Sequence, residues 1–143
     1  MTEISSRRAA ELAENYVALW NEPDADRRRR MIAKLWAEDG RHILQPPQEI
    51  RAIAAQPGIA MRAILEAQGY EEIEARAASA YEHWVGSEGL SFRGRDDADR
   101  LGDVVKLHWE ALAKDGTVFA VGLSFLVLAA DVRIQRDYTF IVA

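Results

Sequence analysis

The chain contains no cysteine among its 143 residues, and this absence narrows the chemistry open to it. The sequence offers no disulfide, no thiolate nucleophile, and no cysteine ligand for zinc or an iron–sulfur cluster. A protein without thiols suits a reducing compartment, so we expect it to be cytoplasmic. Any reaction that it catalyses must therefore use oxygen and nitrogen groups.

Long apolar runs and an excess of positive charge are also missing. No hydrophobic run approaches the roughly 20 residues that a membrane-spanning helix needs. Residues 1–13 are polar and charged, which fits neither a secretory signal nor a transit peptide. Lysine and arginine together number 18 against 23 aspartates and glutamates, which gives a net charge of −5. We therefore expect no membrane and no nucleic acid among the partners of this protein.

Recognisable metal and cofactor motifs are absent as well. The three histidines, His42, His83 and His108, are widely separated, and no paired-histidine helix motif accompanies them. The acidic stretch 96–103 lacks the glycine and terminal glutamate of a calcium loop, so it is predicted to be a hairpin turn. The sequence predicts no metal site and no cofactor.

The first half of the chain carries the apolar periodicity of helices. Residues 5–20 place apolar side chains three and four positions apart, and a second such stripe runs from Met31 to Trp36 and ends at Asp39-Gly40. Between the helices, His42 to Leu44 is predicted to form a short strand. Further helices are predicted over 48–56, 59–68 and 73–84.

From Leu90 onward the apolar period shortens towards two, which is typical of strands. Strands are predicted over 91–95, 104–112, 117–128 and 133–142, joined by short turns into an antiparallel meander. Helices followed by a meander predict a single α+β domain whose helices cover one face of the sheet.

Both faces of the segment 117–128 are apolar, because Phe119 and Phe125 alternate with Val118 and Leu126. One layer of helices can cover only one of these faces. An antiparallel sheet usually has a polar second face, so the sequence predicts a homodimer formed through the sheet.

Five segments together resemble the nuclear transport factor 2-like superfamily, and its SnoaL-like (polyketide cyclase-like) branch in particular. They are Asn15–Asn21, Leu35–Gly40, Val104–Glu110, Gly122–Phe125 and Arg133–Gln135. The resemblance spans nearly the whole chain and implies one SnoaL-like domain, 1–143, with a longer helical insertion at about 57–89. It also implies a cone-shaped roll of N-terminal helices packed on a curved antiparallel sheet, with a mostly apolar cavity between them.

The resemblance also suggests three catalytic candidates. Tyr16 falls where ketosteroid isomerase has a tyrosine that stabilises an oxyanion, Asp137 falls on the inner face of the last strand, and His42 begins a strand near the cavity. The general base of that isomerase would fall near Leu44 or Gln45, neither of which accepts a proton, so steroid isomerisation by the family mechanism is not expected.

Each candidate has a structural alternative. Tyr16 can be a core tyrosine with its hydroxyl at the cavity edge, and His42 a packed core histidine. Asp137 can face outward or pair with Arg133 or Arg136. The remaining side chains expected to line a ligand site are Trp20, Trp36, Trp84, Trp109, Ser124 and Leu126. The four tryptophans are equally consistent with ordinary core packing.

Two functions follow from this sequence. The first is a domain that binds a small apolar ligand in its cavity, with no assigned reaction. The alternative is a cofactor-free acid–base enzyme, a cyclase, isomerase or dehydratase that acts on a small apolar carbonyl compound. The fold that they share does not decide between them.

Overall fold

The computed structural model describes residues 5–45 and 65–143, which form an α+β roll of helices on a curved, mixed sheet. The fold class predicted from the sequence is confirmed. The elements in chain order are α1 (Ser6–Asn21), α2 (Ala25–Leu35), β1 (Trp36–Leu44), β2 (Leu65–Gln68), α3 (Gly69–Ala80), a π-helix (Tyr81–Ser87), β3 (Ser91–Gly94), β4 (Asp99–Leu101), β5 (Val104–Leu112), β6 (Val118–Leu128) and β7 (Ile134–Ile141). Within the described ranges no helix has both the length and the apolar character needed to cross a membrane.

The first two helices begin at side-chain caps. The Ser5 hydroxyl accepts a hydrogen bond from the Arg8 amide at 3.1 Å, and the Asp24 carboxylate accepts from the amides of Asp26 and Arg27 at 2.8 and 3.2 Å. These bonds satisfy amide groups that have no partner within the helix. The buried stripe of α1 then faces the sheet, with Ala9, Ala13, Tyr16, Val17 and Leu19.

The second helix is shorter than the sequence predicts. It ends at Leu35, whereas the apolar stripe predicted a helix through Trp36 to Asp39-Gly40. Trp36 instead begins β1, where it is fully buried and is the register partner of Ile134 on β7. The burial of a tryptophan against the sheet outweighs the helical spacing.

The segment just before α3 is also a strand and not a helix. Leu65–Gln68 forms β2 and pairs antiparallel with β1, so the predicted helix 59–68 is wrong over its last four residues. The pairing with β1 overrides the helical preference of these residues. Gly69 follows with a φ of +83°, a conformation that favours glycine and lets the chain turn directly into α3. The predicted helix 48–56, and the part of the other that covers 59–64, lie outside the described residues.

The sheet has the order β2-β1-β7-β6-β5-β3, and β4 also pairs with β5. The four C-terminal strands predicted from the sequence are confirmed, while the acidic stretch 96–103 contains the short strand β4 in addition to its turns. One pairing corrects the expectation of an antiparallel sheet, because β1 and β7 run parallel. The antiparallel sheet was predicted from strands that follow one another in the sequence. Strand β1 comes from the helical half of the chain, so that prediction did not include its pairing with β7.

Candidate functional site

Four buried polar side chains meet on the inner face of the sheet. Asp137 and Thr139 lie two residues apart on β7, so they point to the same face, and Ser124 on β6 is the register partner of Thr139. Tyr16 reaches them from α1. All four are buried, with Asp137 0% and Tyr16 1% exposed. Buried polar groups need hydrogen-bond partners, and these residues provide them for one another.

The hydrogen bonds of this cluster converge on the Asp137 carboxyl group. Tyr16 Oη donates to Oδ2 at 2.5 Å, and Thr139 Oγ1 donates to Oδ1 at 2.7 Å. Trp109 Nε1 donates to Ser124 Oγ at 3.1 Å, and Ser124 Oγ lies 2.7 Å from Thr139 Oγ1. Because the one hydroxyl hydrogen of Thr139 is directed at Asp137, Ser124 donates to Thr139. The chain of donors therefore runs in one direction, from Trp109 to Asp137.

His42 and Arg76 extend the cluster on its other side. His42 on β1 is the register partner of Asp137, and its Nε2 lies 3.5 Å from Asp137 Oδ2. Its Nδ1 lies 3.0 Å from Nη1 of Arg76, which comes from α3. The parallel pairing of β1 with β7 brings His42 beside the carboxyl group.

Burial shifts the pKa values of all three titratable groups at the centre. Loss of water raises the pKa of Asp137 to about 7, against the opposing effects of the Tyr16 and Thr139 hydrogen bonds and the Arg76 charge. Burial first, and then the nearby Asp137 charge, raise the pKa of Tyr16 well above its usual value. Burial, followed by the charge of Arg76, lowers the pKa of His42 to about 3. Near neutral pH, Asp137 can therefore exchange a proton, Tyr16 keeps its hydrogen and His42 is uncharged.

Three of the four candidate tryptophans surround this cluster. The ring of Trp20 is centred 6.1 Å from that of Tyr16 and 5.1 Å from that of His42, and the ring of Trp36 is centred 5.9 Å from that of Tyr16. Trp36 is fully buried, and its Nε1 has no hydrogen-bond partner among the residues that the structure describes. Leu126, also fully buried, is the register partner of Asp137 on β6. Aromatic and apolar groups therefore enclose the polar centre.

Trp84 is the candidate that the structure does not bring to the cluster. It lies in the π-helix, and its ring contacts are with His83 and Phe119, at centroid distances of 4.3 and 6.1 Å. Thr139 lies two residues after Asp137, and the alignment of the last strand that turns Asp137 towards the cavity turns Thr139 the same way. No feature of the sequence indicated Arg76, because only the packing of α3 against β1 brings it to His42.

Two open pockets among the described residues lie away from this cluster. One cavity of about 410 Å³ lies between α1 and the β3–β4 turn, and another of about 430 Å³ lies between α1, α2 and residues 131–133. Neither is lined by Asp137, Tyr16 or His42. Across 5–45 and 65–143, no three His, Asp or Glu side chains lie close enough together to hold a metal ion. The side chains of the polar cluster are thus buried away from both of these pockets.

The fold is shared with solved structures of SnoaL-like proteins. A candidate isomerase of the SnoaL-like family from Agrobacterium tumefaciens is 23% identical, with 96% of this chain and 99% of that chain covered and a TM-score of 0.76. A candidate SnoaL-like polyketide cyclase from Jannaschia is 15% identical, with 98% and 91% covered and a TM-score of 0.61.

A protein with a ketosteroid isomerase-like fold from Catenulispora acidiphila, solved in complex with trimethylamine, is 17% identical, with 90% and 83% covered and a TM-score of 0.59. No family model and no curated protein matches this sequence. The resemblance inferred from the sequence is confirmed at the level of the fold.

Proposed function

We propose that this protein is a cofactor-free enzyme that moves a proton on a small, mainly apolar carbonyl compound. The observation that carries the proposal is the Asp137 carboxyl group, which is fully buried and accepts hydrogen bonds from Tyr16 and Thr139. A carboxyl group with a pKa of about 7 can both accept and return a proton near neutral pH.

In the proposed reaction, the Asp137 carboxylate removes a proton from the carbon beside the carbonyl group. The electrons of the broken C–H bond form an enolate. Once Asp137 holds the proton, the one hydroxyl hydrogen of Tyr16 turns from Asp137 Oδ2 to the enolate oxygen. Asp137 then returns the proton to another atom of the substrate, which completes an isomerisation, or begins a cyclisation or dehydration. Because Asp137 is fully buried, the proposed reaction requires a local opening beside it, and Trp20 and Trp36 then supply apolar surface to the substrate.

The unfavourable free energy of burying the Asp137 carboxyl group supports a functional role for it. A carboxylate without water is unfavourable unless it is paired, and strongly shifted pKa values concentrate at active sites. The described residues present hydroxyl and imidazole groups to Asp137 at close range, with Arg76 one residue further out. A purely structural position would be filled more stably by an apolar side chain.

The test is hydrogen exchange at carbon, which requires no knowledge of the natural substrate. The protein is incubated in D₂O with small cyclic ketones and enones, and deuterium incorporation beside the carbonyl group is followed by NMR. We expect the wild-type protein to accelerate exchange of at least one compound and the Asp137→Asn variant to lose that acceleration. Asp99→Asn, which changes an exposed carboxylate on β4, is the matched control.

Equal exchange rates for the wild-type protein and Asp137→Asn would reject the acid–base role. Binding of a ketone, detected as ligand shifts that Asp137→Asn preserves, together with no exchange would favour the second candidate, a non-catalytic binding domain. Two observations favour that candidate: Asp137 is completely enclosed, and neither Leu44 nor Gln45 supplies a second base.

We also propose that the protein is a homodimer in which the outer faces of two sheets meet. Phe125 and Phe140 pack edge to face there, with ring centroids 5.9 Å apart, and Phe140 is 43% exposed. Leu123 and Val127 continue the same face along β6. A second copy of the same face would cover these side chains under two-fold symmetry.

A further inference from the structure

The His42 ring has a charged or polar neighbour at each nitrogen. Nδ1 lies 3.0 Å from Nη1 of Arg76, and Nε2 lies 3.5 Å from Oδ2 of Asp137. A half-turn of the ring would place carbon atoms at both positions and remove both contacts. The two neighbours together therefore fix the orientation of the imidazole.

The chemistry of arginine decides which nitrogen carries the proton. A guanidinium group has donors and no acceptor, so Nδ1 of His42 must accept and carry no hydrogen. A neutral imidazole then has its single N–H at Nε2, the ring nitrogen that lies 3.5 Å from Asp137 Oδ2. The side chain is only 5% exposed, so there is little room for water to compete for either nitrogen.

Arg76 is held in this position by contacts that do not involve the ring. The same Nη1 atom donates to the carbonyl oxygen of His42 at 3.0 Å and lies 3.3 Å from the carbonyl oxygen of Leu65. These acceptors belong to the β1 and β2 backbones, which pair with each other. Nη1 carries two hydrogens, so the two contacts at 3.0 Å, to the His42 carbonyl oxygen and to Nδ1, take one each, and the carbonyl oxygen of Leu65 is a longer contact.

We infer that Arg76 is a positioning residue that holds His42 as the Nε2–H tautomer, so that His42 gives Asp137 a donor and does not compete with it as a base. The inference rests on the proposed function for its purpose and assigns the proton-accepting role to Asp137 alone. The tautomer itself is a property of the resting protein and can be measured without a substrate.

The direct test is ¹⁵N NMR of the histidine rings in the full chain, with the His42 signals assigned by their loss in His42→Gln. We expect the chemical shift of an unprotonated nitrogen at Nδ1 and of a protonated nitrogen at Nε2, across the neutral pH range. A protonated Nδ1 in the wild-type protein would overturn the inference, whether or not the protein proves to be an enzyme.

Variants of Arg76 test whether that residue is the cause. Arg76→Met keeps an unbranched stem but has no donor, so we expect His42 to become a mixture of both tautomers. Arg76→Lys keeps a donor and should restore the Nε2–H form. Arg29→Gln is the matched control. Arg29 lies on α2 and pairs with Glu74, which is on the same helix as Arg76, and it makes no contact with His42. An unchanged tautomer in Arg76→Met would show that Asp137 alone sets it.

The pH profile of exchange separates positioning from simple loss of folding. The groups that face Asp137 are Tyr16 from α1, His42 from β1 and, through His42, Arg76 from α3. Loss of the Arg76 charge removes an effect that lowers the pKa of Asp137. We therefore expect the exchange rate of Arg76→Met to rise with pH at a higher pH than that of the wild-type protein. A lower exchange rate with an unchanged dependence on pH would contradict the inference.

Discussion

The two faces of strands β6 and β7 each carry side chains that their surroundings do not favour. The inner face, covered by α1, carries Ser124, Asp137 and Thr139, all buried. The outer face carries Phe125 and Phe140 at neighbouring positions of the same strands, and Phe140 is 43% exposed. A sheet with one covered face normally has apolar side chains inside and polar ones outside.

Each face therefore lowers the stability of the isolated chain, for a different reason. Inside, a carboxyl group has lost its water, and outside, aromatic surface remains in contact with water. The inner cost is typical of a chemical site and the outer cost is typical of an interface. The following predictions test the two halves of this comparison separately.

The largest effect is expected on the stability of Asp137→Asn as a function of pH. The pKa of Asp137 is raised from 3.8 to about 7 in the folded protein, so the folded state binds more protons than the unfolded state between these values. The free energy of unfolding of the wild-type protein therefore falls as pH rises through this window, by up to about 4 kcal/mol. Asparagine cannot ionise, so this fall should be absent from the variant.

Chemical denaturation at pH 5 and pH 8 measures this difference, with Asp99→Asn as the control. We expect Asp137→Asn to gain stability relative to the wild-type protein as pH rises. A variant that is equally destabilised at both pH values would show that Asp137 is a structural carboxyl group with an ordinary pKa.

The second effect is on catalysis by the inner face. Tyr16→Phe removes the donor to the enolate, and loss of one such donor slows reactions by about 100- to 1000-fold. The Tyr16 hydrogen bond also lowers the pKa of Asp137, so the exchange rate of the variant should rise at a higher pH than that of the wild-type protein. Tyr138→Phe, next to Asp137 but on the outer face, should leave the exchange rate unchanged.

The third effect concerns the outer face. Phe140→Glu places a charge in the proposed interface, and symmetry repeats it in the second copy. Burial of one phenylalanine is worth about 1.5–3 kcal/mol, so we expect the dimer to weaken by roughly 100-fold or more. Size-exclusion chromatography with light scattering measures the association, and Leu101→Glu, at an 83% exposed site on β4, is the control. A wild-type protein that is monomeric at micromolar concentration would disprove the dimer.

The smallest effect is expected from Gly122→Ala on the inner face. A Cβ at this position would lie 2.0 Å from the ring of Trp109, so the indole must move and its bond to Ser124 is disturbed. We expect a loss of about 1–3 kcal/mol in the free energy of unfolding. Thermal unfolding measures it, and Gly116→Ala is unsuitable as a control because Gly116 has a φ of +86°. Gly94→Ala, where a Cβ meets only Val17 at 3.7 Å, serves instead and should be nearly neutral.

The sequence pattern predicted the C-terminal strands more accurately than the segments near β1. Residues 104–112 match β5 at both ends, because alternating apolar and polar side chains follow directly from a strand with two different environments. Trp36 and the segment 65–68 were predicted to be helical and are strands. Their local spacing and propensity favour a helix, and only the pairing of β1 with β7 and with β2 makes them extended.

The sequence by itself determined the α+β class, the resemblance to SnoaL-like proteins and the apolar outer face of β6, since each depends on patterns within segments and on the order of those segments along the chain. Tertiary structure alone decided that Tyr16, His42 and Asp137 meet and that Trp84 does not, and it alone brought in Arg76. The reason is that these contacts join α1, β1, α3 and β7, which lie far apart in the chain. Their meeting depends on the parallel placement of β1 beside β7, and no periodicity within either strand encodes that placement.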